Sequence, residues 1–174
     1  MKGAGGATER AERALDLLCD ERAAAVGYLY LFRKGRLSLV AARGAKPPPD
    51  TFTTFVRRFL AHEIAESVAV TCVLSESPGG TTSADGGPLM CDEPDGGEPF
   101  ASHYTDALGM TFYPFLLRGT IGNEPRYAGI AAFAYQGRPA PVDDSLMVAL
   151  STHLIQTGDS DGLEYGAWQE LSED

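Results

Sequence analysis

No run in the chain is long and apolar enough to cross a bilayer as a helix. The longest apolar stretches, within "MTFYPFLLRG" (110–119) and "RYAGIAAFAYQ" (126–136), are near ten residues, where a membrane-spanning helix needs about 20. The opening "MKGAGGATERAERALDLL" has no apolar h-region, because its apolar residues are interleaved with Glu, Arg and Asp. No secretory signal is therefore expected, and the expected compartment is the cytoplasm. Cysteine is sparse and odd in number: Cys19, Cys72 and Cys91. Such a set points to free thiols in a reducing compartment rather than to a disulfide framework. The chain has no G-x-S-x-G elbow, no Walker loop and no H-E-x-x-H, which leaves hydrolase or nucleotidase chemistry without a motif.

Positive charge is missing from a third of the chain. No Lys or Arg occurs from Phe59 to Leu117, where nine acids lie, and residues 157–174 carry six acids and no base. The net charge of −10 argues against nucleic-acid binding, which requires a basic footprint. The basic first third and the acidic remainder favour self-association or a basic partner, or serve solubility alone.

What is present suits one domain. The 174 residues are 44% apolar and 22% charged, as in an ordinary globular protein. Residues 1–7 read as a disordered Gly/Ala tail. Thr8 can cap a helix to about residue 24, with Ala11, Ala14, Leu15, Leu18 and Cys19 on one stripe. "VGYLYLF" (26–32) and "LSLVAAR" (37–43) flank a Lys34-Gly35 turn and predict a hairpin. Pro47, Pro48 and Pro49 then stop the chain, and Asp50 can cap a second helix bearing a stripe of Phe52, Phe55, Val56, Phe59, Leu60 and Ile64. "VAVTCVL" (68–74) predicts a third strand. A long Gly/Pro-rich acidic loop over 75–105 follows, of a kind that is usually functional or disordered. Strands over 110–118 and 126–136, then a helix from Asp143 or Asp144 to about Gln156, complete the domain. Gly158 can end that helix, and 158–174 form an acidic tail.

Hairpins and short links predict a mainly antiparallel sheet of five to six strands in an α+β fold. Val26, Tyr28, Tyr30 and Phe32 point to one face, and Leu29 and Leu31 to the other. In the last long strand, Phe133 and Tyr135 oppose Ile130 and Ala132. Strands apolar on both faces need cover on both faces. The expectation is that the first and last helices cover one side, and the middle helix with the long loop the other. A loop-covered face is a natural place for a small-molecule cavity.

Four stretches in this order resemble a GAF domain over roughly residues 8–157: "LDLLCDERAAAVGYLYLF", "GRLSLVAARG", "FYPFLLRGTIGNEPRYAGIAAFAY" with Pro114 and Gly129, and "PVDDSLMVALSTHLIQT". The chain is most similar to the sensory GAF segments of bacterial signalling proteins such as serine/threonine kinases. The resemblance implies a GAF-like, profilin-like sensor or scaffold fold, often dimeric through its first and last helices and sometimes holding a small ligand. Roadblock/longin-like and PAS domains share the architecture, and the former would imply partnership with a small GTPase.

The resemblance also frames the chemistry. Some GAF relatives reduce free methionine sulfoxide with cysteines. Cys72 reads as mid-strand and buried, however, and Cys91 lies in an acidic loop that raises its pKa; their spacing does not match closely placed catalytic thiols. Bilin attachment and the cyclic-nucleotide signature find no counterpart. A metal set of Cys91, Asp92, Glu93 and His103 matches no recognised ligand spacing, so no metal and no cofactor are expected. Arg43, Lys46, Arg57 and Arg58 can gather an anion at the start of the second helix, or form a solvated basic face.

The sequence thus predicts a non-enzymatic regulatory module. Its candidate ligand pocket comprises Tyr28, Tyr30, Arg43, Phe55, Cys72, His103, Tyr104 and Phe112, with Tyr113 a further aromatic. The candidate homodimer seam comprises Leu15, Leu18, Leu146, Leu150 and Leu154. In a helical tail, Leu163, Trp168 and Leu171 would share a face able to dock on a partner, to pack back on the domain, or to stay disordered. Expected partners are a second copy, a signalling protein of a kinase or small-GTPase system, and an unidentified small molecule, with neither nucleic acid nor membrane.

Overall fold

The computed structural model describes residues 5–44, 47–74, 101–135 and 143–164, with the side chains of 67–74 excepted. The expectations placed on Lys46, Cys91, Asp92, Glu93, Trp168, Leu171 and most of the 75–105 loop lie outside these residues. The elements in chain order are α1 (Gly5–Glu21), β1 (Val26–Arg33), β2 (Arg36–Arg43), α2 (Asp50–Leu74), β3 (Tyr104–Thr105), β4 (Thr111–Ile121), β5 (Glu124–Tyr135), α3 (Ser145–Gln156) and β6 (Leu163–Glu164).

The β1–β2 hairpin forms at the predicted turn. Lys34 and Gly35 both have positive φ, 51° and 68°, the combination that matches a two-residue turn to the right-handed twist of the strands. Arg33 pairs with Arg36, and Val40 is the extra residue of a bulge between Leu29 and Tyr30. The β4–β5 hairpin closes at Gly122-Asn123, with Ile121 paired to Glu124. All pairs are antiparallel, in the order β2-β1-β5-β4-β3, and short β6 pairs with β5 at Arg126 and Tyr127. The fold is therefore α+β with an antiparallel sheet of six strands, two of them only two residues long.

Each face of the sheet carries its own core. Leu29 and Leu31 of β1 and Ala131 and Phe133 of β5 pack against Leu15 and Leu18 of α1 and against Leu154 and Ile155 of α3. Tyr28, Tyr30 and Phe32, with Ile130 and Ala132, pack on the other face against Phe52, Val56, Phe59, Leu60 and Ile64 of α2. The alternation read from the sequence thus sorts β1 and β5 correctly, with the terminal helices on one side and the middle helix on the other.

One element differs from expectation. Residues 68–74 are not a strand; they continue α2 without interruption to Leu74. Val68, Val70, Thr71 and Val73 favour strands intrinsically. No Gly or Pro occurs between Asp50 and Leu74, however, so nothing breaks a helix that has already nucleated, and propagation adds one hydrogen bond per residue. The sheet takes β3 and β6 instead. Helix α1 also begins at Gly5, inside the predicted tail.

After α3 the chain turns at Gly158 (φ 74°) and is fastened to the body. Arg10 of α1 donates Nε and Nη2 to Asp159 Oδ2 and Oδ1 at 2.7 and 2.8 Å. Thr157 Oγ1 shares the same carboxylate at 2.8 Å, and Arg33 Nε reaches the Asp159 carbonyl at 3.0 Å. Ser160 donates to the Ala128 carbonyl at 2.7 Å, and the Lys34 amide donates to Asp161. Among the described residues no helix is long and apolar enough to cross a membrane.

Candidate binding cleft

The outer edge of β4 is paired only at its start, where Thr111 and Phe112 meet Thr105 and Tyr104 of β3. Beyond Phe112, no other strand among the described residues pairs with that edge. Pro114, which has no N–H to give a ladder, sits there in keeping with an edge position. Helix α2 flanks the edge on one face and α3 on the other. Between them opens a cleft of ≈ 400 Å³, walled by Phe59 of α2, Pro114, Phe115 and Leu116 of β4, and Met147 and Val148 of α3. A few hundred cubic ångströms is the scale of a small-ligand site.

Two ion pairs border the cleft. On the α2 side, Arg118 lies 3.7 Å from Glu63. On the α3 side, Arg22 Nη2 donates to Asp144 Oδ1 at 3.0 Å and approaches Met147 Sδ at 3.6 Å. Arg22 follows the last turn of α1, its amide still bonded to the Leu18 carbonyl at 3.1 Å. Its side chain is only 4% exposed, whereas that of Asp144 is 68% exposed. The guanidinium lies 4.1 Å from the Phe115 ring centroid and 5.7 Å from that of Phe133, within cation–π range. The neighbouring Tyr135 hydroxyl is buried. Burial holds its pKa above the ordinary tyrosine value, with Arg22 pulling the other way.

The structure brings together five of the eight residues predicted for a pocket, but as packed rings. Tyr28, Phe52, Phe55, Tyr104 and Phe112 contact one another at centroid distances from 5.1 to 6.2 Å. The Tyr30 ring lies tilted at 6.4 Å from that of Phe52, and its hydroxyl lies 3.4 Å from Thr53 Oγ1. Tyr104 is tied to Thr51 at 2.8 Å. Burial, first among causes, raises the pKa of both Tyr28 and Tyr30, so both hydroxyls stay protonated.

Arg43 belongs elsewhere. It crosses to α1, donating to Asp20 Oδ1 at 2.8 Å and to the Asp16 carbonyl at 2.9 Å. It therefore does not join the exposed Arg57 and Arg58 at the start of α2. His103 is exposed and lies beside Tyr113, ring to ring at 5.6 Å. Cys72 lies on helical backbone rather than mid-strand. Cys19 is buried, and burial pushes its thiol up to about 11, the opposite of what nucleophilic cysteine chemistry needs. Of the predicted dimer seam, Leu15, Leu18 and Leu154 are each 1% exposed and serve the subunit's own core. Leu146 and Leu150 are half-buried, while Leu17 and Val148 stand out to solvent at 51% and 45%. Leu163 is in β6, half-buried against the α2-side core, not on a helix.

The His62, Glu63 and Glu66 side chains of α2 place their ligand atoms within 4.8 Å of one another, a group able to hold a cation. The Arg118 guanidinium beside Glu63 opposes one there.

Sequence reasoning missed Arg22, Asp144, Tyr135, Arg118 and Glu63. One signal was available: Arg22 continues the stripe of Ala11, Leu15 and Leu18 at three- and four-residue spacing, which places a cation on an apolar helix face. Comparison with family models, curated proteins and solved structures found no match to this chain.

Proposed function

We propose that the chain is a GAF-like regulatory module that binds a small ligand or a protein segment in the cleft along β4 and associates with a second copy. The observation that carries this reading is the cleft itself: apolar walls from three elements, with Arg118–Glu63 and Arg22–Asp144 at its borders. A mostly apolar concavity with a few convergent polar groups is the general form of a binding site. The layer order supports the GAF-like assignment, since the terminal helices cover one face of an antiparallel sheet and the middle helix covers the other. Exposed Leu17 on α1 offers apolar surface for self-association. A role in bacterial signal transduction follows from the sequence resemblance.

Native mass spectrometry of freshly purified protein tests this reading. The expected result is a dimer, or a chain carrying a retained small molecule that is lost on unfolding. A bare monomer at every concentration, gaining no mass from a panel of small organic acids, alcohols and peptides, would overturn it.

A further inference from the structure

We infer that the cleft takes a small organic carboxylate with an apolar body, whose carboxylate displaces Asp144 from Arg22. The inference rests on the cleft being a binding site and adds the class of ligand.

Arg22 is held in an apolar cradle of Phe115, Phe133 and Met147. A buried guanidinium is costly unless it is paired and its donors are used. Its planar fork can give two parallel N–H bonds to one carboxylate. Asp144 takes only one, at 3.0 Å. The Tyr135 hydroxyl, next to Arg22, keeps its proton because burial raises its pKa, and so places a further donor beside the guanidinium.

Asp144, in turn, is lightly held. It occupies the N-cap position of α3 yet makes no side-chain capping bond. Asp143 does that work instead, accepting from the Ser145 amide at 3.0 Å and from its hydroxyl at 2.7 Å. Asp144 can therefore turn into solvent, where most of its side chain already lies, without uncapping the helix. It is a resident carboxylate that stands in for an incoming one.

The surroundings choose the rest of the ligand. Phe115 and Met147 line both the Arg22 cradle and the cleft, so a body attached to the bound carboxylate runs along Leu116, Pro114 and Val148. A singly charged head matches one buried cation. A doubly charged phosphate would leave surplus negative charge between Asp144 and Glu63.

Isothermal titration with hexanoate, and with 1-hexanol as the uncharged body, tests the assignment on wild type, Asp144→Asn and Arg22→Met. Hexanoate should bind wild type and bind Asp144→Asn about tenfold more tightly, the scale of one charge-assisted hydrogen bond. Arg22→Met, which keeps an unbranched side chain in the cradle, should lose hexanoate binding and keep that of hexanol. Equal hexanoate affinity in wild type and Asp144→Asn overturns the inference, and decides the matter should Arg22→Met not fold. Hexanol binding with no gain from the carboxylate sinks the inference and leaves the cleft reading standing. Binding of neither probe to any variant sinks both. Inorganic phosphate competing as well as hexanoate overturns the carboxylate class.

Discussion

A Cβ at position 129 would run into the Tyr30 carbonyl and lie 2.9 Å from Leu31 Cα, so β5 passes β1 there at a distance only glycine permits. At Gly122, in the β4–β5 turn, the same added atom meets nothing within 4 Å, and only the positive φ of 60° is at stake. The two glycines should respond differently to alanine. Gly129→Ala is expected to cost about 3 kcal/mol or more, because backbone must move. Gly122→Ala should cost about 1 kcal/mol, the price of a left-handed residue with a side chain. Urea denaturation of both variants measures the contrast, and equal losses would show that the crossing at Gly129 is looser than described. The sequence hinted at Gly129 through the Gly-containing strand, but the contact with Tyr30 depends on register and is invisible without it. Arg22 was readable on its helix stripe; its partner Asp144, 122 positions away, was not.

At the level of elements, the hairpin β1–β2, the strands β4 and β5, and α3 were all legible, because their periods and turn residues agree. The stretch 68–74 was not. Its residues suit a strand intrinsically, and only the uninterrupted helix before them decides the outcome. The other illegible element is the fastening after α3, where a polar, acidic stretch reads as a tail although Asp159 and Ser160 are buried. The Arg10 hydrogen bond, first, and that from Thr157 hold the Asp159 carboxyl below its ordinary value of 3.8, with burial opposing. A carboxyl depressed in the folded state adds stability that is full above its unfolded value and is lost as pH falls through the folded one. Asp159→Asn should therefore lower stability by about 2 kcal/mol near neutral pH, as expected for a charge-assisted hydrogen bond. The difference from wild type should close in strong acid. Denaturation midpoints of the pair across pH check this, and a difference that persists at the acid end would refute the ionic account.

For the whole molecule, the two-sided core was legible because strands apolar on both faces have no other use in water. The cleft was not, since it forms where residues near 60, 115 and 147 converge, and no single stretch announces it. The distinction between core and outer surface gives a further test. Leu15 lies within the subunit at 1% exposure and Leu17 outside it at 51%. Leu15→Ala should cost about 3 kcal/mol. Leu17→Asp should leave the unfolding free energy within about 0.5 kcal/mol of wild type while weakening the proposed self-association in sedimentation. Association unchanged by Leu17→Asp would move the interface away from this part of α1.

The bond between Arg10 and Asp159 has a topological consequence. It brings the first helix and the segment after the last one to a single corner, across 149 positions of chain. A linker joining the start of α1 to the end of β6, in place of the residues outside them, would make a ring that could be reopened at the Gly122-Asn123 tip. A load applied after β6 falls first on its pairing with β5 at Arg126 and Tyr127 and on the Arg126–Glu164 ion pair, so the Arg10–Asp159 corner lies behind a second clasp.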